Sequence, residues 1–459
     1  MPTVVLKDPP AGVPNPLQVG EQAKIGGEGA VYFSTDDRFA VKIYYHPRPE
    51  KEQLLQQVMK LFSNLPPEQE RFILPPLALV ERLDGRSCVG FVMRRVPPRY
   101  TELLNFVMPR GAAEHFRRGR TWADYLKIAR SIANAVVVLH GKGCAHSDIH
   151  YRNFLVNLEA GDAIMLEIDG VVVPGFLPPQ VAGMMGFMAP EILTDGVSPN
   201  ERTDRHSLAV LILHTILFRN VMQPLIEYDE DPNRSEELGW GRYALFSEHP
   251  RDHRHRPSNL GVPFYRRGAL SYRMLTPMLQ RLTERAFLEG LREPDKRPSA
   301  REWEEALAFA IDELWGCQRC RQHFPYPYER PLGERACPFC GERCRSPYPL
   351  VLELHEERQH GSFFPLRRIV LGHGFKVFAD MIESSRRPPF SRQSEPILGH
   401  VEWDARRGQY RLINEGEDEW IALSASGRFS ARKGGSVPVQ KGCLLRFGEG
   451  KRVAFVVEG

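Results

Sequence analysis

The sequence predicts an α+β chain in three parts: a large leading domain of strands and helices, a small cysteine-held module, and an all-β terminal domain. Three observations carry this. Alternating apolar runs such as Ala40–Ile43, Phe72–Val80 and Ser87–Val96 lie ahead of a run at helical spacing, Ile132–Leu139. Two Cys-x-x-Cys pairs, Cys317/Cys320 and Cys337/Cys340, follow. From Pro347 onward short β-type runs alternate with turns rich in Gly and Asp.

The bulk numbers exclude several classes. With 459 residues, 42% hydrophobic and 26% charged, the chain is long enough for several cores and ordinary for a globular protein. A formal net charge of +4 makes no case for nucleic acid or a membrane surface. The longest apolar stretch, Leu208–Phe218, is too short to span a bilayer and contains His214. The N-terminus has no basic start followed by an apolar signal core, so the expected location is the cytoplasm. In that compartment paired cysteines read as metal ligands rather than disulfides.

Taken in order, the first feature is the glycine cluster Gly26-Gly-Glu-Gly29. Glycine permits a tight turn and lets backbone N–H groups approach phosphate oxygens. The strand Ala40–Ile43 then carries Lys42, and Pro49-Glu-Lys-Glu52 opens a helix. After the apolar helix Ile132–Leu139 comes His146-Ser-Asp-Ile-His-Tyr-Arg-Asn153. A carboxylate and an amide at this spacing, Asp148 and Asn153, suit a metal-bound phosphate: the Asp orients or deprotonates an attacking hydroxyl, and the Asn oxygen ligates Mg²⁺. Met165–Gly170 follows, an apolar run expected to be a strand ending at Asp169.

These stretches resemble the eukaryotic-like protein kinases. The glycine cluster is similar to GxGxxGxV, matching at Gly26, Gly29 and Val31 but with Lys24 at the first glycine. Ala40–Ile43 is similar to the VAIK strand, 146–153 to the catalytic loop, Asp169-Gly170 to DFG without its Phe, and Gly186–Glu191 to the segment ending APE. Asp204–Leu208 and Pro294–Pro298 resemble the two later kinase elements. The resemblance implies a bilobal domain over residues 1–316, with lobes at about 20–96 and 97–316. It implies ATP and Mg²⁺ as cofactors, Lys42 on the α- and β-phosphates, and Mg²⁺ on Asn153 and Asp169. Asp148 would face the acceptor hydroxyl, Asp204 would brace the catalytic loop, and Arg297 would pair with Glu191. An acid on the first helix, Glu52 rather than Glu50, would hold Lys42, and Val92–Pro97 would border the adenine. Departures are Ser147 where Arg is usual and His150 where Lys is usual; a His there also occurs in small-molecule phosphotransferases of the same fold. A kinase-fold scaffold without catalysis is the other alternative.

Between Asp169 and Glu191 no side chain bears a hydroxyl, and Pro174, Pro178 and Pro179 stiffen the segment. A phosphate switch there is therefore not expected. The region 222–264 reads as a solvated surface insertion, its His249, His253 and His255 included. With Phe287–Gly290 and Arg297–Trp303 it is similar to bacterial kinases associated with von Willebrand-type proteins and metal-dependent protein phosphatases. That resemblance implies a protein substrate, such a protein and a cognate phosphatase as partners.

Cys317, Cys320, Cys337 and Cys340 can place four thiolates on one Zn²⁺, a closed and therefore structural set, in a module over 317–345 that resembles a zinc ribbon. Cys344 and His323 are spare neighbours able to substitute. Over 346–459 the strand candidates are Arg368–Leu371, Phe375–Met381, Gly399–Trp403, Gln409–Ile413, Trp420–Ser424, Cys443–Phe447 and Val453–Glu458. They imply a β-sandwich, and Gly399-His-Val401 with Gly442–Gly448 faintly resembles a forkhead-associated (FHA) domain. His400 would be its histidine, but the Ser and Arg of its phosphothreonine site are missing, so protein docking is the expected role. The loop 384–395 is expected to be mobile.

Overall fold

The computed structural model describes residues 1–173, 175–179, 181, 183–359, 361–384 and 386–458. Pro174 and Ser385, which entered the expectations above, lie outside them. The fold is mixed α/β and divides into two compact units, neither continuous in sequence. Residues 1–115, 128–257 and 282–304 form the first, and 116–127, 258–281 and 305–459 the second. The boundary drawn at 316 from sequence does not follow this division.

The first unit opens with β1 (Thr3–Lys7), β2 (Leu17–Gln18), β3 (Lys24–Ile25), β4 (Gly29–Phe33), β5 (Phe39–Tyr44), β6 (Ala78–Leu83) and β7 (Arg86–Arg94). They make one seven-stranded antiparallel sheet in the order β2-β1-β6-β7-β5-β4-β3. Strand alternation divides β5. Phe39, Val41 and Ile43 join Val4, Leu6, Ala78 and Val92 on one face, whereas Tyr44 packs with Leu79, Phe91 and Leu55 on the other. Leu55 belongs to the helix Lys51–Phe62, whose buried stripe is Lys51, Leu55, Val58 and Phe62. The expected strand Phe72–Val80 begins only at Ala78, because Pro75 and Pro76 offer no N–H to a ladder.

The same unit continues through β8 (Thr101–Glu102), β9 (Phe154–Asn157) and β10 (Asp162–Met165), a sheet in the order β10-β9-β8. Nearly all of the helix Glu201–Leu217 is buried, and an Asn200/Thr203 capping box closes its first turn. The bidentate ion pair Arg297–Glu191 (2.6 and 2.8 Å) has an Arg side chain with no solvent exposure. The region 222–257 is surface in part, with His253 exposed as expected, but it also holds the helix Pro232–Trp240, and His255 is buried with Nδ1 accepting from Leu225 N–H and Nε2 2.9 Å from Tyr228 Oη. Both ring nitrogens serve packing. No helix among the described residues is long and apolar enough to cross a membrane.

In the second unit β11 (Leu314–Gly316) pairs with β12 (His323–Pro325). Ten strands follow: β13 (Leu350–Gln359), β14 (Ser362–Leu371), β15 (Lys376–Phe378), β16 (Ile397–Asp404), β17 (Gln409–Asn414), β18 (Trp420–Ser424), β19 (Gly427–Ala431), β20 (Ser436–Val439), β21 (Leu444–Phe447) and β22 (Arg452–Glu458). They form sheets β14-β13-β22-β21-β18-β19 and β15-β16-β17-β20. One core joins both, with Leu352, Leu354, Leu445 and Val456 from the first and Val401, Leu412 and Val439 from the second. His400 faces Glu415 (2.7 Å) and Glu402 (3.4 Å), an environment suited to a cation and not to a phosphate.

The loop 384–395 is not free, contrary to expectation. Its Arg392 bridges two buried carboxylates, Asp312 (2.5 and 2.9 Å) and Asp380 (2.8 and 2.6 Å), which also take Arg367. Removing one member of such a network strands the others without solvent. Arg392→Ala is expected to lower the stability of this unit by about 3–5 kcal/mol, read from the tryptophan-fluorescence midpoint in urea. A loss below about 1 kcal/mol, the level of an exposed pair, would count against the role given to the network.

Candidate functional site

A cavity of about 360 Å³ in the first unit is lined by Gly26, Gly29, Val31, Lys42, Asp148, Asn153 and Asp169, together with Lys24, Glu28, Lys51, His146, Glu167 and Val181. Every candidate phosphate- and Mg²⁺-binding residue except Glu52 therefore lines one cavity, whereas the segment expected at the adenine, Val92–Pro97, does not.

The roof is the β3–β4 hairpin, closed by Gly26 N–H donating to the Gly29 carbonyl (2.9 Å). Gly29 cannot be replaced without movement, since a Cβ there would lie 2.2 Å from the Ile43 carbonyl oxygen. β4 runs beside β5 with Val31 opposite Lys42, which carries the lysine under the hairpin.

Asp204 builds the floor. This buried carboxylate accepts from the backbone N–H of His146 (2.7 Å) and Ser147 (3.0 Å), and His140 Nε2 lies 3.1 Å away. These bonds hold Ser147 at φ 67°, a conformation costly for a residue with a Cβ. His146 spans the next turn, Nδ1 accepting from Asp148 N–H (3.3 Å) and Nε2 donating to the Leu166 carbonyl (2.8 Å).

Asp148 Oδ2 accepts from His150 Nε2 and Asn153 Nδ2, each at 3.1 Å, while His150 Nδ1 takes the Arg152 N–H. Asp148 Oδ1 is buried and has no hydrogen-bond partner among the described residues. Of the two carboxylate oxygens it is the one left to accept a further hydrogen bond. Burial alone would raise this carboxyl, but the bond and charge of His150, with His146 and Asn153, bring it below its ordinary value. It is ionised at neutral pH. Asn153 Nδ2 also donates to the Asp148 carbonyl (2.8 Å), leaving the amide oxygen to offer a cation. Gly183, at φ 111°, passes close above; a Cβ there would lie 2.8 Å from the Ser147 carbonyl oxygen.

Asp169 sits on a short 3₁₀ turn, Ile168–Gly170, and not at a strand end as expected, because β10 stops at Met165 and Glu167 is left-handed. Its Oδ2 takes Lys42 Nζ (3.0 Å) and the Tyr44 hydroxyl, with Lys51 Nζ at 3.6 Å. Burial would raise its carboxyl, but Lys42 and Lys51 overcome this and hold it low. Lys42 also meets Glu167 (2.6 Å) and Glu28 (3.9 Å). Burial pulls its ammonium down, yet Asp169 and Glu167 prevail and raise it above the usual lysine value.

Glu52 does not hold Lys42. Its carboxylate is half-exposed and 3.3 Å from Lys7, because the helix turns Lys51 and Leu55 inward and Glu52 outward. Nor does Val92–Pro97 line the cavity. Phe91 and Val92 pair with β5 on one side and β6 on the other, while Met93 and Arg94 pair with β5 alone and the Arg94 side chain is exposed.

Sequence reasoning missed Glu28, Glu167, Tyr44 and Lys51. Two were within reach, since Tyr44 lies two residues beyond Lys42 on one strand face and Glu28 lies inside the glycine turn. Glu28, Glu167 and Asp169 offer carboxylate oxygens within 4.8 Å of one another, a donor set of the hard oxygen type Mg²⁺ takes.

The second site lies in the second unit. Cys317, Cys320, Cys337 and Cys340 have their sulfurs within 4.8 Å of one another and can hold one metal ion such as zinc. Sγ separations of 3.7 Å (Cys317–Cys340) and 3.6 Å (Cys320–Cys337) approach the edge of about 3.8 Å of a tetrahedron with Zn–S of about 2.3 Å. Each pair sits in the same knuckle: Arg321 N–H to Cys317 O and Gly341 N–H to Cys337 O, closed by Cys317 N–H to Gln322 O and Cys337 N–H to Glu342 O. Phe339 lies between the second pair and packs among Phe116, Trp122, Phe264 and Tyr265 of the same unit. Cys344 and His323 are outside the four-sulfur group. Compared with protein-family models and with curated proteins, the chain matches none of them.

Proposed function

We propose that this chain is an ATP-dependent protein kinase that transfers the γ-phosphoryl group to Ser or Thr of a protein partner. The observation that carries this is the single cavity bringing the glycine hairpin, Lys42, Asp148, Asn153 and Asp169 together from segments more than a hundred residues apart. The buried Arg297–Glu191 pair supports it, since such a pair anchors the segment on which a peptide would lie.

In this reading the hairpin N–H groups and Lys42 bind and orient the phosphates. Asp148, steered by His150 and Asn153, directs its orphaned Oδ1 at the acceptor hydroxyl and takes up its proton as the oxygen attacks. Mg²⁺, held by Asn153 and Asp169 with Glu28 or Glu167 beside them, would neutralise charge on the transferring group. The partners in this reading are a protein substrate, a von Willebrand-type protein and a cognate protein phosphatase, rather than nucleic acid or a membrane.

A scaffold without catalysis is the second reading, favoured by Lys51 standing where the helix was expected to present an acid. Incubating the full chain with γ-labelled ATP, Mg²⁺ and generic protein acceptors tests both. Labelled protein is expected. Nucleotide binding without transfer would establish the scaffold, and transfer only to small alcohols would establish a small-molecule phosphotransferase. Because no hydroxyl lies between Asp169 and Glu191, phosphatase treatment is expected to leave the initial rate unchanged. A large loss, restored on rephosphorylation, would contradict that.

A further inference from the structure

The cavity holds a feature that the proposed reaction does not use. Lys51 projects from the first turn of its helix into the cavity wall and is only 5% exposed. Its ammonium lies 3.6 Å from Asp169 Oδ2, 3.4 Å from the Asp169 carbonyl and 4.5 Å from the Tyr44 ring centroid. Lys42 reaches the same Oδ2 at 3.0 Å. Two fixed ammonium groups thus pair with one carboxylate at the cavity wall.

We infer that Lys51 is a second polyphosphate-binding cation, and that this site binds the triphosphate of a nucleotide without a divalent metal ion. The inference rests on the nucleotide-site reading above. An acid on that helix would add a negative charge beside the phosphates and so increase the need for a metal ion to offset theirs. Lysine there reverses the sign, a difference of two charge units next to Asp169. Lys42 does not need the missing acid, because Glu167 and Glu28 already hold it. Asp169 Oδ2 is occupied by Lys42, Tyr44 and Lys51, so a metal ion must compete for it, whereas a phosphate oxygen can share the two ammonium groups.

Calorimetric titration of the full chain with ATP, in EDTA and in Mg²⁺, tests this. Wild type is expected to bind in EDTA within about tenfold of its affinity in Mg²⁺, about the effect of one charge-assisted contact. Lys51→Met should lose about tenfold or more in EDTA and much less in Mg²⁺, and Lys51→Arg should restore binding in EDTA. Wild type binding only with Mg²⁺ would overturn the role of Lys51 and leave the nucleotide site standing. Absence of binding in both conditions would sink both. An equal loss in Lys51→Met with and without Mg²⁺ would show that Lys51 merely holds Asp169 in place, which also overturns the inference; thermal melts confirm that each variant is folded.

Discussion

Asp148→Asn is expected to lower phosphoryl transfer by about 10²–10⁴-fold while leaving ATP affinity within about threefold, well under the effect of one charged contact. The asymmetry follows from the geometry. Asp148 contacts His150, Asn153 and backbone rather than the hairpin N–H groups or Lys42 that bind the phosphates in the proposed site, and its Oδ1 has no hydrogen-bond partner among the described residues. Asn keeps the shape and the contact to His150 but cannot take up a proton at neutral pH. Asp169→Asn should also abolish transfer, but less cleanly, since it removes the charge between Lys42 and Lys51 and so costs stability as well. The measurement is single-turnover transfer from labelled ATP alongside calorimetric ATP binding. Undiminished transfer in Asp148→Asn would rule out this residue as the base and turn the reading towards a scaffold or another site.

The second large effect concerns the four cysteines. One zinc per chain is expected by elemental analysis of protein purified without chelator, and Cys337→Ser should abolish it together with the fold of the second unit's ribbon. Structural zinc contributes about 10–16 kcal/mol of binding free energy to small domains. The adjoining β11–β12 hairpin is only three residues a side. The consequences should spread to the aromatic group around Phe339, seen as a loss of protected amides over 316–344 in hydrogen exchange. Stoichiometric zinc in Cys337→Ser, or a wild-type protein with no metal and an unchanged melt, would refute the site.

What the sequence by itself determined was local. Asp148 and Asn153 are five residues apart, and each Cys-x-x-Cys pair closes its own knuckle, so the chain's short-range geometry brings those groups together wherever the segment lies. Strands with clear alternation were legible, as β17 and β18 were. β19 and β20 were not: both are edge strands, β19 is nearly all exposed, and β20 is only four residues long with Pro438 between its buried Val437 and Val439. β13 was missed because its apolar pattern ends at Leu354 and charged residues continue the strand.

Only the tertiary structure decided which groups meet across the chain. Lys42 pairs with Glu167, 125 residues away, and Arg392 with Asp312, 80 away, distances over which a sequence pattern has no phase. The choice between Glu50, Lys51 and Glu52 shows the reason in its sharpest form. Successive helical residues differ by about 100° around the axis, so a shift of one position exchanges a cavity residue for a solvated one. The residues 52, 55 and 59 make as good a helical stripe on paper as 51, 55 and 58. Leu55 packs against Tyr44, Leu79 and Phe91 of the sheet while Val58 and Phe62 are buried with it, and this burial chose the second stripe, and with it an ammonium in place of a carboxylate beside Asp169.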